Sequence, residues 1–236
     1  MSLENFNPGE ILSEISKMDL PELSLMEVCG THTMAIAKSG LRSSLPANVT
    51  LLSGPGCPVC VTPSGVIDEI LALSMRDNMI IATYGDMIKV PGSVHGKSLA
   101  SAHALGARVE VVYSPLDAVS LAEKNPGDEV VFLGAGFETT APGTAAAIGA
   151  AKDGGVKNFS VLSMLKTVEP ALRALIAQDD FAVSGFLCPG HVATVIGAKA
   201  FSSFRFYRTA RSSSFDFQHR HDRKNESFPS AGFASL

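Results

Sequence analysis

Seven short apolar runs constrain this chain more than any single motif does. They lie at 23–28 (LSLMEV), 49–52, 79–84 (MIIATY), 109–113, 129–133, 159–163 and 181–184. Segments with helical spacing separate most of them, at 33–42, 63–75, 97–105, 115–124, 140–152, 168–178 and 191–200. A strand built from a nearly continuous apolar run has no polar face to offer water, so both of its faces must be covered. Helices packed on both sides of a parallel sheet cover them, and parallel neighbours need a crossover connection in any case. The alternation therefore predicts an α/β fold with parallel sheet. Asn7, Pro8 and Glu10 read as a capped helix start with Pro at its first position. A division between two α/β units is expected near residues 92–98.

The bulk numbers narrow the function classes. Of 236 residues, 46% are hydrophobic and 18% charged, a soluble globular balance, and the net charge of -4 offers no basic footprint for nucleic acid. No run approaches the ~20 apolar residues of a membrane span. The opening MSLENFNPGE has no basic segment followed by an apolar one, so no secretory signal is visible and a cytoplasmic protein is expected. In that setting four cysteines point to metal or redox chemistry more than to structural disulfides.

The unusual residues fall at one kind of place. CGTHT follows the first run, GPGCPVC the second, YGDMIKVPG the third, GAGFETT the fifth and CPGH the seventh. Ligands of open parallel sheets sit beyond the carboxyl ends of the strands, so these loops are expected to line a shared cleft or two facing ones. Gly and Pro alone would be ordinary turn punctuation. The cysteines and histidines among them are not explained that way.

Cys57 and Cys60 stand two residues apart, just before a helix expected to begin at Thr62 or Pro63. That spacing lets both sulfurs bind one metal or close a small disulfide, and the helix dipole favours the thiolate. Cys29 also precedes a helix, with His32 close enough to orient its sulfur; Thr31 and Thr33 are candidate caps. Three sulfurs can converge here, and soft thiolates favour iron or zinc. Asp86 and Lys89 lie in a stiff Pro/Gly loop. GAGFETT opens like a dinucleotide fingerprint but has Thr139 at the third glycine position, and Glu138 would repel a pyrophosphate. Cys188 reads as a packing residue, and His191 as a weaker site candidate. Three chemistries remain open on the residues alone: an iron-binding thiolate site, a thiol–disulfide oxidoreductase using Cys57 and Cys60, and a structural zinc module of Cys29, Cys57, Cys60 and a histidine. A nonfunctional fragment is a fourth reading.

From Phe201 the composition changes. Residues 201–236 hold seven of the thirteen phenylalanines and no Val or Ile, and Arg and Lys outnumber Asp and Glu six to three. An irregular or disordered tail is expected there.

EVCGTHT, GPGCPVC, ATYGDMIKVPGS, GAGFETTAPGTA and GFLCPGH, in this order across about residues 8–200, resemble the HypD family of [NiFe]-hydrogenase maturation factors. The resemblance implies two Rossmann-like parallel-sheet units flanking a cleft. The expected division is 1–95, carrying the three cysteines, then an incomplete unit over 96–200 and the tail 201–236. It implies a cytoplasmic scaffold for assembly and transfer of an Fe(CN)2CO group together with the chaperone HypC. HypE and HypF would supply cyanide, and the hydrogenase large subunit would receive the iron. Cys29 would be the iron thiolate with a HypC cysteine as second ligand, and His32 would lie beside it. Cys57 and Cys60 would be a redox-active pair. Thr31, Asp86, Glu138 and His191 are the further candidates for contact with the iron group. The family also carries a [4Fe-4S] cluster in a later cysteine-rich region, whereas no cysteine follows Cys188 here. The chain accordingly resembles a member truncated or frameshifted near residue 203.

Overall fold

The computed structural model describes residues 7–59, 61–197 and 199–201. Its strands form two sheets, of three and four strands, every pairing is parallel, and helices connect them. The chain is of the expected α/β class. It divides into two compact units: one holds the residues up to Gly56 and again from Ala171, the other is Cys57–Pro170.

In the first unit Asn7 starts helix α1 (Pro8–Lys17), its side chain accepting the Gly9 N–H at 3.0 Å. Strand β1 (Leu23–Glu27) is central, between β2 (Val49–Ser53) and β7 (Gly185–Leu187). Helix α2 (Gly30–Ser39) follows β1 and stops at Gly40, whose φ of +66° suits glycine. The short α3 (Leu41–Ser44) then begins, so the helical spacing over 33–42 resolves into two helices. Helix α9 (Gly190–Ile196) follows β7. The strand expected at 181–184 forms a few residues later, because pairing decides its position. Ser184 donates to the Ser24 carbonyl at 2.7 Å, and the ladder then runs Leu25↔Gly185, Met26↔Phe186 and Glu27↔Leu187.

The second unit is a sheet of β3 (Met79–Thr83), β4 (Arg108–Val111), β5 (Glu129–Gly136) and β6 (Phe159–Leu165), in the order β4-β3-β5-β6. Its helices are α4 (Ser64–Ser74), α5 (Leu99–Ala104), α6 (Pro115–Lys124), α7 (Ala141–Asp153) and the start of α8 (Val168–Ile176). The apolar runs supply both faces by strand alternation. Ile81, Val131 and Leu133 pack with Ile67, Ile70 and Leu99, while Ile80, Ala82, Val130 and Phe132 pack with Ala118 and Ala122. Phe132 is fully buried and meets Tyr84 edge-on at 5.4 Å between centroids. Burying such a side chain contributes about 1.5–3 kcal/mol.

The expected division near 92–98 falls between β3 and β4, which are hydrogen-bonded neighbours in one sheet. The residues expected as a second unit over 96–200 are instead shared: those to Pro170 build the four-stranded unit, and β7 and α9 join the first. Apart from Phe201, the expected tail 201–236 lies outside the described residues. Among the described residues no helix is long and apolar enough to cross a membrane.

Both sheets reverse their strand order once. In β2-β1-β7 the reversal lies between β1 and β7, and in β4-β3-β5-β6 between β3 and β5. Crevices at such points, beyond the carboxyl ends of the strands, are where open α/β sheets hold ligands.

Candidate thiol and metal site

Cys29 stands at the reversal point of the first sheet. It is the N-cap of α2, extended at φ -152° and ψ 124°, and makes no side-chain cap bond. The Val28 N–H donates to the Leu187 carbonyl at 3.2 Å, which carries the β1·β7 pairing one step beyond the ladder. The next loops then face each other. Cys29 Sγ lies 3.8 Å from Nδ1 of His191, in the first turn of α9. The cysteine is buried, with 4% of its surface accessible, and the histidine is exposed.

Two glycines hold the neighbouring loop against this cysteine. The Gly54 N–H donates to the Glu27 carbonyl at 2.8 Å. A Cβ on Gly56 would lie 2.6 Å from the Cys29 Cα and backbone nitrogen and 2.7 Å from the Gly30 nitrogen. The GPG that precedes Cys57 is therefore glycine at Gly56 because backbone occupies the space a side chain would need.

Beneath Cys29 is a carboxylate that the sequence reading passed over. Glu27 is fully buried, and its Oε1 accepts from Arg42 Nη2 at 2.9 Å and from Ser53 Oγ at 2.8 Å. Arg42 also donates to Ser53 Oγ at 2.7 Å. Glu27 Oε2 is buried with no hydrogen-bond partner among the described residues. The ion pair ties the carboxyl ends of β1 and β2, where Glu27 and Ser53 are in register. An acidic residue inside an apolar run was the available signal.

The other candidates are distributed differently. The imidazole bonded to the Cys29 sulfur is that of His191; His32 Nδ1 is buried with no hydrogen-bond partner among the described residues. Thr31 is exposed within α2, and Thr33 Oγ1 donates back to the Cys29 carbonyl at 3.5 Å, so Cys29 rather than either threonine occupies the cap position. Cys188 follows β7 directly, and burial pushes its thiol up to about 11, as suits a packing residue.

In the second unit Cys57 is half-buried, and its carbonyl accepts the Val61 N–H at 3.2 Å. Thr62 donates to the Val59 carbonyl through its backbone and to the Pro58 carbonyl through its hydroxyl, at 3.2 and 3.0 Å. Helix α4 begins at Ser64 with Pro63 as N-cap, one residue past the expected start. Cys60 lies outside the described residues. Asp86 and Lys89 are exposed, Asp86 in a 3-10 turn (Gly85–Met87) after β3. Glu138 lies after β5 and caps α8: its Oε1 accepts the Val168 N–H at 2.9 Å, while its Oε2 is buried with no hydrogen-bond partner among the described residues. The loops carrying Asp86 and Glu138 flank the reversal point of this sheet. Gly134 and Gly136 are part of β5, and a Cβ on Gly136 would collide with Thr140 Oγ1. Packing accounts for this partial dinucleotide fingerprint.

Among the described residues no three His, Cys, Asp or Glu side chains cluster as metal ligands. No cysteine follows Cys188 in this sequence, so it offers none of the later thiolates expected to hold an iron–sulfur cluster. Cys29 and His191 do form a soft thiol–imidazole donor set suited to iron or zinc.

The motifs that build these loops lie within a wider match. A family model described as "HypD: Hydrogenase formation hypA family" matches residues 9–211. The chain belongs to the HypD family. It is 48% identical over 180 residues to the hydrogenase maturation factor HypD of Escherichia coli (strain K12), an alignment covering 76% of this chain and 48% of that protein. Hydrogenase maturation factor HypD of Rhizobium leguminosarum bv. viciae is 47% identical over 185 residues, with the same two shares. That of Cupriavidus necator is 41% identical over 214 residues, covering 86% of this chain and 56% of that HypD. This HypD-family chain therefore spans about half the length of the curated relatives it matches.

Proposed function

We propose that this chain acts in [NiFe]-hydrogenase maturation as a scaffold on which an Fe(CN)2CO group is assembled and passed on together with HypC. The iron group is the cargo. Cys29 holds it as a thiolate, with His191 beside the sulfur, His32 and Thr31 as further candidates in α2, and a HypC cysteine as second protein ligand. Cys57 and Cys60 are a redox-active pair able to cycle between dithiol and disulfide. Asp86 and Glu138, after β3 and β5, are further candidates for contact with the group. Cyanide comes from HypE and HypF, and the hydrogenase large subunit receives the iron.

The observation that carries this reading is the approach of Cys29 Sγ and His191 Nδ1 at the strand-order reversal of the first sheet. A buried thiol with an exposed imidazole at its mouth suits a guarded metal thiolate better than a packed cysteine. The test is to co-purify the chain with HypC and record infrared spectra in the cyanide and carbonyl region. Bands are expected with the parent and not with Cys29→Ala; bands of equal intensity in both remove Cys29 from the role.

A thiol–disulfide oxidoreductase is the second reading, favoured by the turn at Cys57 that leads into α4. A reversible two-electron couple that turns over disulfide substrates without HypC would support it, and the absence of such a couple would remove it.

A further inference from the structure

We infer that the open edge of β4 pairs with the β4 of a second copy of this chain, antiparallel and about a twofold axis at Val109. This surface is independent of the thiol site. β4 ends the order β4-β3-β5-β6, so one side of it meets no strand among the described residues. The Val112 N–H donates to the Thr83 carbonyl at 2.9 Å. The backbone groups of Glu110 and Val112 therefore turn toward β3, and those of Val109 and Val111 turn outward. Such an edge is a template for another strand.

The side chains select both the occupant and its register. Val109 packs into the buried cluster on one face of the sheet, so Arg108 and Glu110 project together from the other. Glu110 is exposed and makes no ion pair among the described residues. Arg108 is held by Asp128 at 2.6 Å yet keeps 47% of its side chain accessible, and its guanidinium has donors for a second carboxylate. Setting Val109 against the second copy's Val109 makes an antiparallel hydrogen-bonded pair. Each Arg108 then stands directly opposite a Glu110 of the other copy, on both sides of the axis. An axis at Glu110 would bring like charges face to face, and one at Val111 would leave Glu110 with no cation.

The flanks of the strand agree with this register. Tyr113 and Leu105, 93% and 76% exposed, are the most exposed large hydrophobic side chains among the described residues. They lie just beyond the two ends of β4 and equally far along the chain from Val109. The twofold therefore carries each Tyr113 toward the second copy's Leu105. Apolar surface that one copy leaves in water is covered in the pair. An isologous contact of this kind closes after two copies and adds no further chains.

Sedimentation equilibrium of the full chain under reducing conditions is the test, with hydrogen exchange followed over residues 108–113. A reversible monomer–dimer equilibrium is expected, with exchange in that segment slowing as the dimer forms. Glu110→Lys and Arg108→Glu each make both cross-strand pairs repulsive, and each is expected to weaken the dimer about tenfold or more. An equimolar mixture of the two variants restores it, because each then offers the sign the other lacks; recovery also shows that both variants fold. A parent that stays monomeric up to its solubility limit overturns the inference. So does a dimer that both variants leave unchanged, or a mixture that associates no better than its components. Slow exchange over 108–113 that is independent of chain concentration would assign the edge to another occupant and overturn the pairing of copies.

Discussion

Gly56 and Cys29 are packed backbone to backbone, and a Cβ on Gly56 would lie 2.6 Å from the Cys29 Cα and nitrogen. Neither obstructing atom is the end of a flexible side chain. Gly56→Ala is therefore expected to destabilise the protein by about 1–3 kcal/mol, the usual cost of overpacking, and to speed alkylation of the buried Cys29 thiol by displacing its loop. Gly30→Ala is the control, because a Cβ there meets nothing within 4 Å. Urea unfolding and mass-spectrometric alkylation rates read both effects; equal behaviour of the two variants would contradict the contact.

Arg42 is the only side-chain cation bonded to Glu27 among the described residues, and Glu27 is fully buried. Removing one partner of a buried pair typically costs about 3–5 kcal/mol, because a charge is left uncompensated. Arg42 is half-exposed at 51%, so Arg42→Ala is expected below the upper end of that range. Glu27→Gln in the same chain should recover part of the loss, since a neutral amide needs no counter-charge. A double-mutant cycle by urea unfolding measures this coupling; purely additive effects would count against it.

Asp68 clamps the loop after β3 to helix α4. The Ser93 hydroxyl, which also reaches Ser64 Oγ at 3.3 Å, and the Ser93 N–H, 3.0 Å from Asp68 Oδ1, hold this carboxyl below the usual aspartate range. A depressed acid stabilises the folded state above its unfolded pKa, and the contribution disappears as pH falls through its folded value. The Tm difference between the parent and Asp68→Ala is therefore expected to be constant near neutrality and to shrink in acid below the ordinary aspartate range. Gly92→Ala should weaken the same clamp, because its Cβ would collide with Asp68 Oδ1. A Tm difference that does not change with pH would contradict the clamp.

Cys188 should be the inert thiol. Burial raises it from 9.0 to about 11, so iodoacetamide near neutral pH is expected to leave it unmodified in the folded chain. The sign of the linkage follows. Between 9.0 and about 11 the unfolded thiol ionises while the folded one does not, so the folded state loses stability across that window. Thermal unfolding of the parent against Cys188→Ala over alkaline pH checks this, with the Cys188→Ala advantage growing through the window.

Much of the architecture was legible because it is written in near-neighbour chemistry. The run MIIATY becomes β3 because the successive residues Ile80 and Ile81 project to opposite faces that are both covered, and Asn7 starts α1 because its side chain meets the Gly9 N–H two residues on. Where helices 33–42 divide, Gly40 was a visible cue. The third strand of the first sheet was placed too early, since FAVS looks more strand-like than GFL and only the partner β1 fixes the register at Gly185. The division into units was misplaced for the same reason: no local pattern reveals that β7 leaves the second unit and returns to the first.

The site separates along the same line. Local patterning already puts a thiol at the end of β1, at the mouth of a helix, with further polar residues at other strand ends. Long-range strand pairing selects the histidine that meets it. His32 is three residues away, yet the sulfur's neighbour is His191, 162 residues on, delivered by the parallel pairing of β1 with β7. Local periodicity fixes which way a side chain projects from its own strand or helix. Strand order fixes which loops become neighbours, and for Cys29 that order is set by the whole chain.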